Sequence, residues 1–234
     1  KTTAPAKRRW WNYPRAGKGP VHRWVPSWRF VVGSFLFLVA LGIGIVATAY
    51  VTTDIPEADE FTEAQVTTVY YADGETEMGR FSEVNRVIVD ADVIPKHVKD
   101  AVVAAEDRTF YDNAGISPTG IARAFWVNVR GGDQQGGSTI TQQYAERYYL
   151  GTTKDYVGKF QEALLAVKLA QSQDKDTILA NYLNTIYFGR GAYGIETAAQ
   201  AYFGVPASEL TVAQAALIAG VIPAPSAWDP RVSP

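Results

Sequence analysis

Residues 30–51 form a run of 22 without a charged side chain, dominated by Val, Leu, Ile, Phe and Ala. In a bilayer such a run must satisfy its own backbone hydrogen bonds, so it can only be a helix. At ~1.5 Å per residue it reaches ~33 Å, enough to cross the hydrocarbon layer. It is longer than the apolar stretch of a secretion signal and lacks a clear cleavage site, so it reads as a retained anchor. Its flanks differ sharply. Residues 1–29 carry Lys1, Lys7, Arg8, Arg9, Arg15, Lys18, Arg23 and Arg29 and no acid, so the chain's net charge of −2 leaves −10 for the remainder. Asp54, Glu57, Asp59, Glu60 and Glu63 follow the span directly. The positive-inside rule then puts the N-terminus in the cytoplasm and everything after the single pass outside. Trp10, Trp11, Trp24 and Trp28, interleaved with the arginines, read as interfacial anchors. A basic arm alone would suggest nucleic acid. With a membrane span behind it, membrane lipids are the expected partner and nucleic acid is not.

There is no cysteine, and His22 and His97 are the only histidines. A disulfide framework, a Cys-ligated metal and a His cluster are therefore excluded. The organisation reads as a basic tail (1–29), a transmembrane helix (30–51), an acidic stalk (52–65) and one domain (66–234). Residues 66–71, Asp73-Gly74 and residues 78–81 read as a β-hairpin, and Val87-Ile88-Val89 as a further strand. Helical patterns follow over residues 96–110, from Pro118 to Gly131-Gly132, and over 155–171, 175–188, 195–203 and 211–220. Thr211 and Gln214 form a capping-box signature at the start of the last of these. Together with the segment after Thr139 this makes about seven helices. Residues 133–137, between glycine pairs, read as a mobile loop.

Four segments carry chemistry. Glu106 borders the apolar face of its helix through Val102 and Val103, where partial burial raises a carboxyl pKa into a range useful for acid–base work. Thr139, Gln142 and Gln143 stand at i, i+3 and i+4 and share one helical face, suited to sugar hydroxyls and phosphates. The alternative is an ordinary capped helix with a polar exterior. Glu162 and Lys159 form an i, i+3 pair, readable as an exposed ion pair or as a group that neutralises and holds an anion. Tyr182, Asn184 and Tyr187 put polar tips on an otherwise apolar helix that runs into three glycines within six residues.

In order and spacing these segments resemble the signature motifs of the family 51 peptidoglycan glycosyltransferases. That family comprises the polymerising modules of class A penicillin-binding proteins and the monofunctional transglycosylases. Its motifs map to residues 106–115, 136–143, 158–162, 178–196 and 210–230. The resemblance implies a mainly α, lysozyme-like domain with a small β-hairpin, at the cytoplasmic membrane of a bacterium. It implies polymerisation of lipid II into β-1,4 glycan with release of undecaprenyl pyrophosphate. Glu106 and Glu162 become the catalytic carboxylates. Asp107, Phe110, Arg123, Ser138, Thr139, Gln142, Gln143, Arg147, Lys159, Tyr182 and Asn184 become substrate contacts. No cofactor is required, although magnesium or manganese could assist the leaving group, and no metal ligands are assigned. Expected partners are lipid II, the nascent glycan strand, phosphoglycolipid inhibitors such as moenomycin and other cell-wall synthesis proteins. A lytic enzyme of the same broad fold and a non-catalytic cell-wall scaffold are the rival readings.

Three departures from the family pattern stand out. Asn113 replaces a His, Gly158 an Arg, and Glu146 a Lys. Two cations expected near the pyrophosphate are thus missing, and Lys159, Arg147 and Arg123 are the candidate compensations; if Arg147, four residues after Gln143, has taken over, Glu146 is expected to have no part in the site.

Overall fold

The computed structural model describes residues 19–55, 67–73, 77–81, 85–131, 137–150 and 156–232, and divides into two units, Lys1–Thr53 and Asp54–Pro234. In the first unit the apolar run forms one helix, α1 (Trp28–Thr52), long and apolar enough to cross a membrane. Ser27 caps it by accepting the Phe30 N–H at 3.2 Å. Thr48 and Thr53 donate their hydroxyls to the carbonyls of Gly44 and Ala49, both at 2.8 Å. These bonds hide the polar groups that an apolar surrounding would penalise. The basic tail over residues 1–18 and most of the stalk lie outside the described residues.

The second unit is mainly helical. β1 (Thr67–Tyr70) and β2 (Glu77–Phe81) pair antiparallel as the expected hairpin, whose tip at Gly74 is outside the described residues, as is residue 66. β3 (Asn85–Arg86) follows, then α2 (Lys96–Glu106), α3 (Pro118–Val129) and α4 (Ile140–Tyr144). A π-helical segment, Ala145–Leu150, continues α4. α5 (Tyr156–Ser172), α6 (Lys175–Thr185), β4 (Ala192–Tyr193), α7 (Ile195–Phe203) and α8 (Val212–Val221) complete the order. Most of the expected loop, residues 133–136, is outside the described residues.

The core is one apolar cluster. α2 lies along α8 and buries Val98 and Val102, while α4 packs on both α5 and α6. Ile140, Leu165, Leu169, Ile178, Leu179, Leu183 and Ile195 are among its fully buried side chains. Each such residue contributes ~1.5–3 kcal/mol of burial.

Three expected elements differ, each for a local reason. The helix expected over 96–110 stops at Glu106, because Asp107 leaves the helical region (φ −152, ψ 86) and its carboxylate accepts the Thr109 N–H at 3.1 Å. That side-chain turn competes with another helical bond. α6 stops at Thr185 rather than 188, and the chain reverses through Gly189, Arg190 and Gly191, all at positive φ. Residues 87–89 form no strand. Asn184 clamps the Val89 backbone instead, accepting its N–H at 3.1 Å and donating to its carbonyl at 2.8 Å. Pairing occurs just before that segment, where β3 runs parallel to β4.

The reversal after α6 is locked by Arg190. It donates to Asp229 at 2.6 and 2.8 Å and stacks on the Tyr202 ring at 3.9 Å from the centroid. The hydrogen bonds from Arg190 lower the Asp229 pKa from 3.8 to about 2. A lowered carboxyl pKa stabilises the fold above the unfolded value, and that contribution is lost as pH falls through the folded one. Thermal midpoints of wild type and Asp229→Asn should therefore differ at neutral pH, converge between pH 3.8 and about 2, and coincide below it.

Candidate active site

The site begins where α2 ends. Asp107 is buried, and its two oxygens are fully committed. Oδ1 accepts the Thr109 N–H at 3.1 Å and the Thr109 hydroxyl at 2.9 Å, while Oδ2 accepts the Asn113 amide at 2.9 Å and the Ile140 N–H at 3.4 Å. This carboxylate ties the end of α2 to the start of α4. The loop then reaches Gly115, whose φ of +92° and whose approach to α5 both exclude a side chain: a Cβ there would lie 2.3 Å from the Ala166 carbonyl oxygen. Asn113, where the family motif has His, closes the loop by accepting the Gly115 N–H at 3.0 Å and the Lys175 ammonium at 3.2 Å.

Thr139 caps α4 in a full capping box with Gln142. The Gln142 N–H reaches the Thr139 hydroxyl at 3.1 Å, and the Thr139 N–H reaches the Gln142 amide oxygen at 3.0 Å. The same hydroxyl donates to the Gly115 carbonyl at 2.6 Å. Thr139 and Gln142 therefore serve each other rather than an open polar face.

Gln143 turns the other way. Its Nε2 donates to Glu106 Oε2 at 2.8 Å, and its Oε1 accepts the Tyr182 hydroxyl at 3.0 Å. Burial raises the Glu106 pKa above 4.5; the Gln143 bond partly offsets this, and the Asp107 charge adds to it. Burial also raises the Tyr182 phenol well above 10.0, the Glu106 charge acts in the same sense, and the Arg147 charge opposes them. Arg147 is itself exposed on the π-helical segment.

The second carboxylate, Glu162, is fully buried on α5. Lys159 meets its Oε1 at 2.8 Å and its Oε2 at 2.9 Å, and also meets Glu146 at 3.1 Å. Burial works against the Lys159 charge, but the bonds to Glu162 and Glu146 outweigh it and hold its pKa above 10.5. The expectation that Glu146 stands apart is thus overturned. It shares with Glu162 the Lys159 ammonium. Gln143 and Glu146 are three residues apart, so the element formed by α4 and its π-helical continuation touches the surroundings of both carboxylates.

Glu106, Gln143, Arg147, Lys159 and Glu162 are brought together along this element. Several other expected contacts belong to the scaffold. Asp107 is spent on backbone and side-chain ties. Phe110 is fully buried, with the Lys175 ammonium 4.6 Å from its ring centroid. Thr139 and Gln142 form the cap, Tyr182 is fully buried with its hydroxyl on Gln143, and Asn184 clamps Val89. Ser138 is half-buried just before the cap, and Arg123 is exposed on α3. The sequence reading missed Lys175 and the binding role of Asn113. The Thr-x-x-Gln spacing at 139–142 was the available signal for the cap.

This geometry stands beside clear similarity to known proteins. A family model described as transglycosylase matches residues 74–234. The chain belongs to the transglycosylase family. It is 43% identical over 218 residues to penicillin-binding protein 1A of Mycobacterium tuberculosis, covering 89% of this chain and 26% of that protein. It is 46% identical over 204 residues to penicillin-binding protein 1A of Mycolicibacterium smegmatis, covering 84% and 26%. With penicillin-binding protein 1A of Neisseria flavescens the figures are 44% over 203 residues, 84% and 25%. The chain spans about a quarter of the length of these curated relatives. In this transglycosylase domain the capping box supports everything that Gln143 does. Thr139→Ala should cost ~2–4 kcal/mol, from a lost cap and an unsatisfied buried carbonyl, and Thr139→Ser should recover most of it. Urea denaturation of the two variants checks this.

Proposed function

We propose that this chain is a peptidoglycan glycosyltransferase that polymerises lipid II at the outer face of the bacterial cytoplasmic membrane, held there by α1 with its N-terminus in the cytoplasm. The observation that carries the reading is Glu106: a half-buried carboxylate of raised pKa, oriented by Gln143, in a member of the transglycosylase family. The reaction needs a base for a sugar hydroxyl and cationic groups for a departing diphosphate. Glu106 takes the proton of the acceptor 4-hydroxyl as that oxygen attacks the donor anomeric carbon from the face opposite the leaving group. The anomeric C–O bond breaks with inversion, and the electron pair leaves on undecaprenyl pyrophosphate. In this reading Arg147, exposed on the π-helical segment with its charge acting on Tyr182, and Lys159, half-exposed and paired with Glu162, stabilise that charge. The buried Glu162 holds Lys159 in position.

The magnesium or manganese considered from the sequence would have to draw its ligands mainly from carboxylates, since the chain has no cysteine and two histidines. Among the described residues no three of His, Asp and Glu gather, and Glu146 and Glu162 are both engaged by the Lys159 ammonium. No step is routed through a metal. The nascent glycan, phosphoglycolipid inhibitors such as moenomycin, and other cell-wall synthesis proteins are the partners this reading entails.

Incubating the purified chain with lipid II and resolving glycan polymer tests the function; cleavage of finished glycan without polymerisation would favour a lytic enzyme. Glu106→Gln should lower the polymerisation rate by ~10²–10⁴ with the fold intact. The base must be ionised, so activity should fall as pH drops through the raised Glu106 pKa, with the acid limb above 4.5. Arg147→Ala should weaken binding of lipid II ~10–100-fold, the scale of one charge-assisted hydrogen bond, without lowering the thermal midpoint. If Arg123→Ala has that effect and Arg147→Ala has none, the diphosphate grip lies on α3.

A further inference from the structure

We infer that Tyr182 is a positioning residue for the reaction: its buried hydroxyl anchors the Gln143 amide with its NH2 group held against Glu106. This rests on the reading of Glu106 as the base.

An amide side chain is nearly symmetric in shape, and Gln143 could present either end to the carboxylate. Its carbonyl against a carboxylate would place two acceptors together with no proton between them. Its NH2 group supplies a donor. The ionised Glu106, an acceptor only, selects the NH2 group, and Tyr182 anchors the amide in that orientation. Its O–H donates to Gln143 Oε1 at 3.0 Å, which leaves Nε2 pointing at Glu106 Oε2 at 2.8 Å. The phenol stays protonated across the working range, because burial and the Glu106 charge both hold its pKa well above 10.0. A fully buried tyrosine on α6 has no freedom to follow a moving partner. Its hydroxyl is thus a fixed reference point set in the core.

Glu106 is faced by few groups that titrate or carry charge. Asp107 follows it on the chain, Gln143 comes from α4, Tyr182 from α6, and Arg147 from the π-helical segment through its effect on Tyr182. Among the described residues, the Gln143 bond favours the charged form of Glu106, against burial and the Asp107 charge. If the amide loses its orientation, the carboxylate loses that donor and the base becomes harder to ionise. The hydroxyl of Tyr182, buried and bonded to Gln143, therefore tunes the base through one intervening side chain.

The test is Tyr182→Phe in the full chain, which removes one oxygen and keeps the ring in the core. Two measurements are made. The first is the pH–rate profile of lipid II polymerisation. The second is the titration of the Glu106 carboxyl carbon by NMR in glutamate-labelled protein, assigned with Glu106→Gln. In Tyr182→Phe the Glu106 midpoint should rise by about half a unit to one unit, the scale of one lost hydrogen bond, and the acid limb should move with it. The rate constant at the plateau should fall several-fold, with KM changed less than twofold. Gln143→Leu should give the same upward shift, and the double variant no further one. Superimposable titrations in wild type and Tyr182→Phe would overturn the inference, as would additive shifts in the double variant. Should Tyr182→Phe not fold, Gln143→Leu alone decides: an unshifted Glu106 overturns the relay. A wild-type chain that makes no polymer would sink the functional reading, whereas the carboxyl titration would still report on the relay.

Discussion

One buried carboxylate organises the candidate active site. Asp107 accepts four hydrogen bonds, from Thr109 twice, from Asn113 and from the Ile140 N–H. A carboxylate away from water is tolerated when its lone pairs are filled by donors. Here the same bonds end α2, shape the following loop and anchor the first residue of α4. Because Glu106 is the last helical residue before that tie, its position is inherited from Asp107. Gly115 completes the arrangement, since no side chain fits between its backbone and the Ala166 carbonyl.

The short α4 and its π-helical continuation then serve two carboxylates that differ in kind. Glu106 is half-buried and faces an amide, so its pKa is raised. Glu162 is fully buried and faces an ammonium that also holds Glu146. A base needs its proton affinity lifted toward working pH, whereas a carboxylate that anchors a cation must stay charged. On the proposed reading, the raised pKa suits Glu106 to act as a base, and the ion pair lets Glu162 hold Lys159 in place. The position at which the family motif carries Lys is used by Glu146 to steady Lys159, so the change of sign there is compensated within the same cluster.

Much was legible in the chain. The uncharged run of residues 30–51 could only be a helix, and glycine and proline marked where α3 and α7 begin or stop. Glu106 was recognisable because Val102 and Val103 put it at the edge of an apolar face. The cap at Thr139 was equally legible, since Thr-x-x-Gln appears again at Thr211 and Gln214 and forms the same box there. At Thr139 the spacing fits both a polar substrate face and an ordinary cap, and the structure forms the cap. The clamp that Asn184 makes was not legible, because its partner Val89 is 95 residues away.

Sequence by itself determined the membrane-length helix, the helical class of the domain and the residue types available for catalysis. These follow from local quantities: hydrophobic run length, periodicity and capping signatures. Only the tertiary structure decided which polar groups are spent on the scaffold and which are left for chemistry. Gln142 and Gln143 are adjacent and chemically identical, yet one closes a cap and the other reaches Glu106. The reason is geometric. Successive side chains on a helix diverge by ~100°, so their partners are set by what lies around the helix, and here that is a loop tied by Asp107 on one side and the Tyr182 hydroxyl on the other.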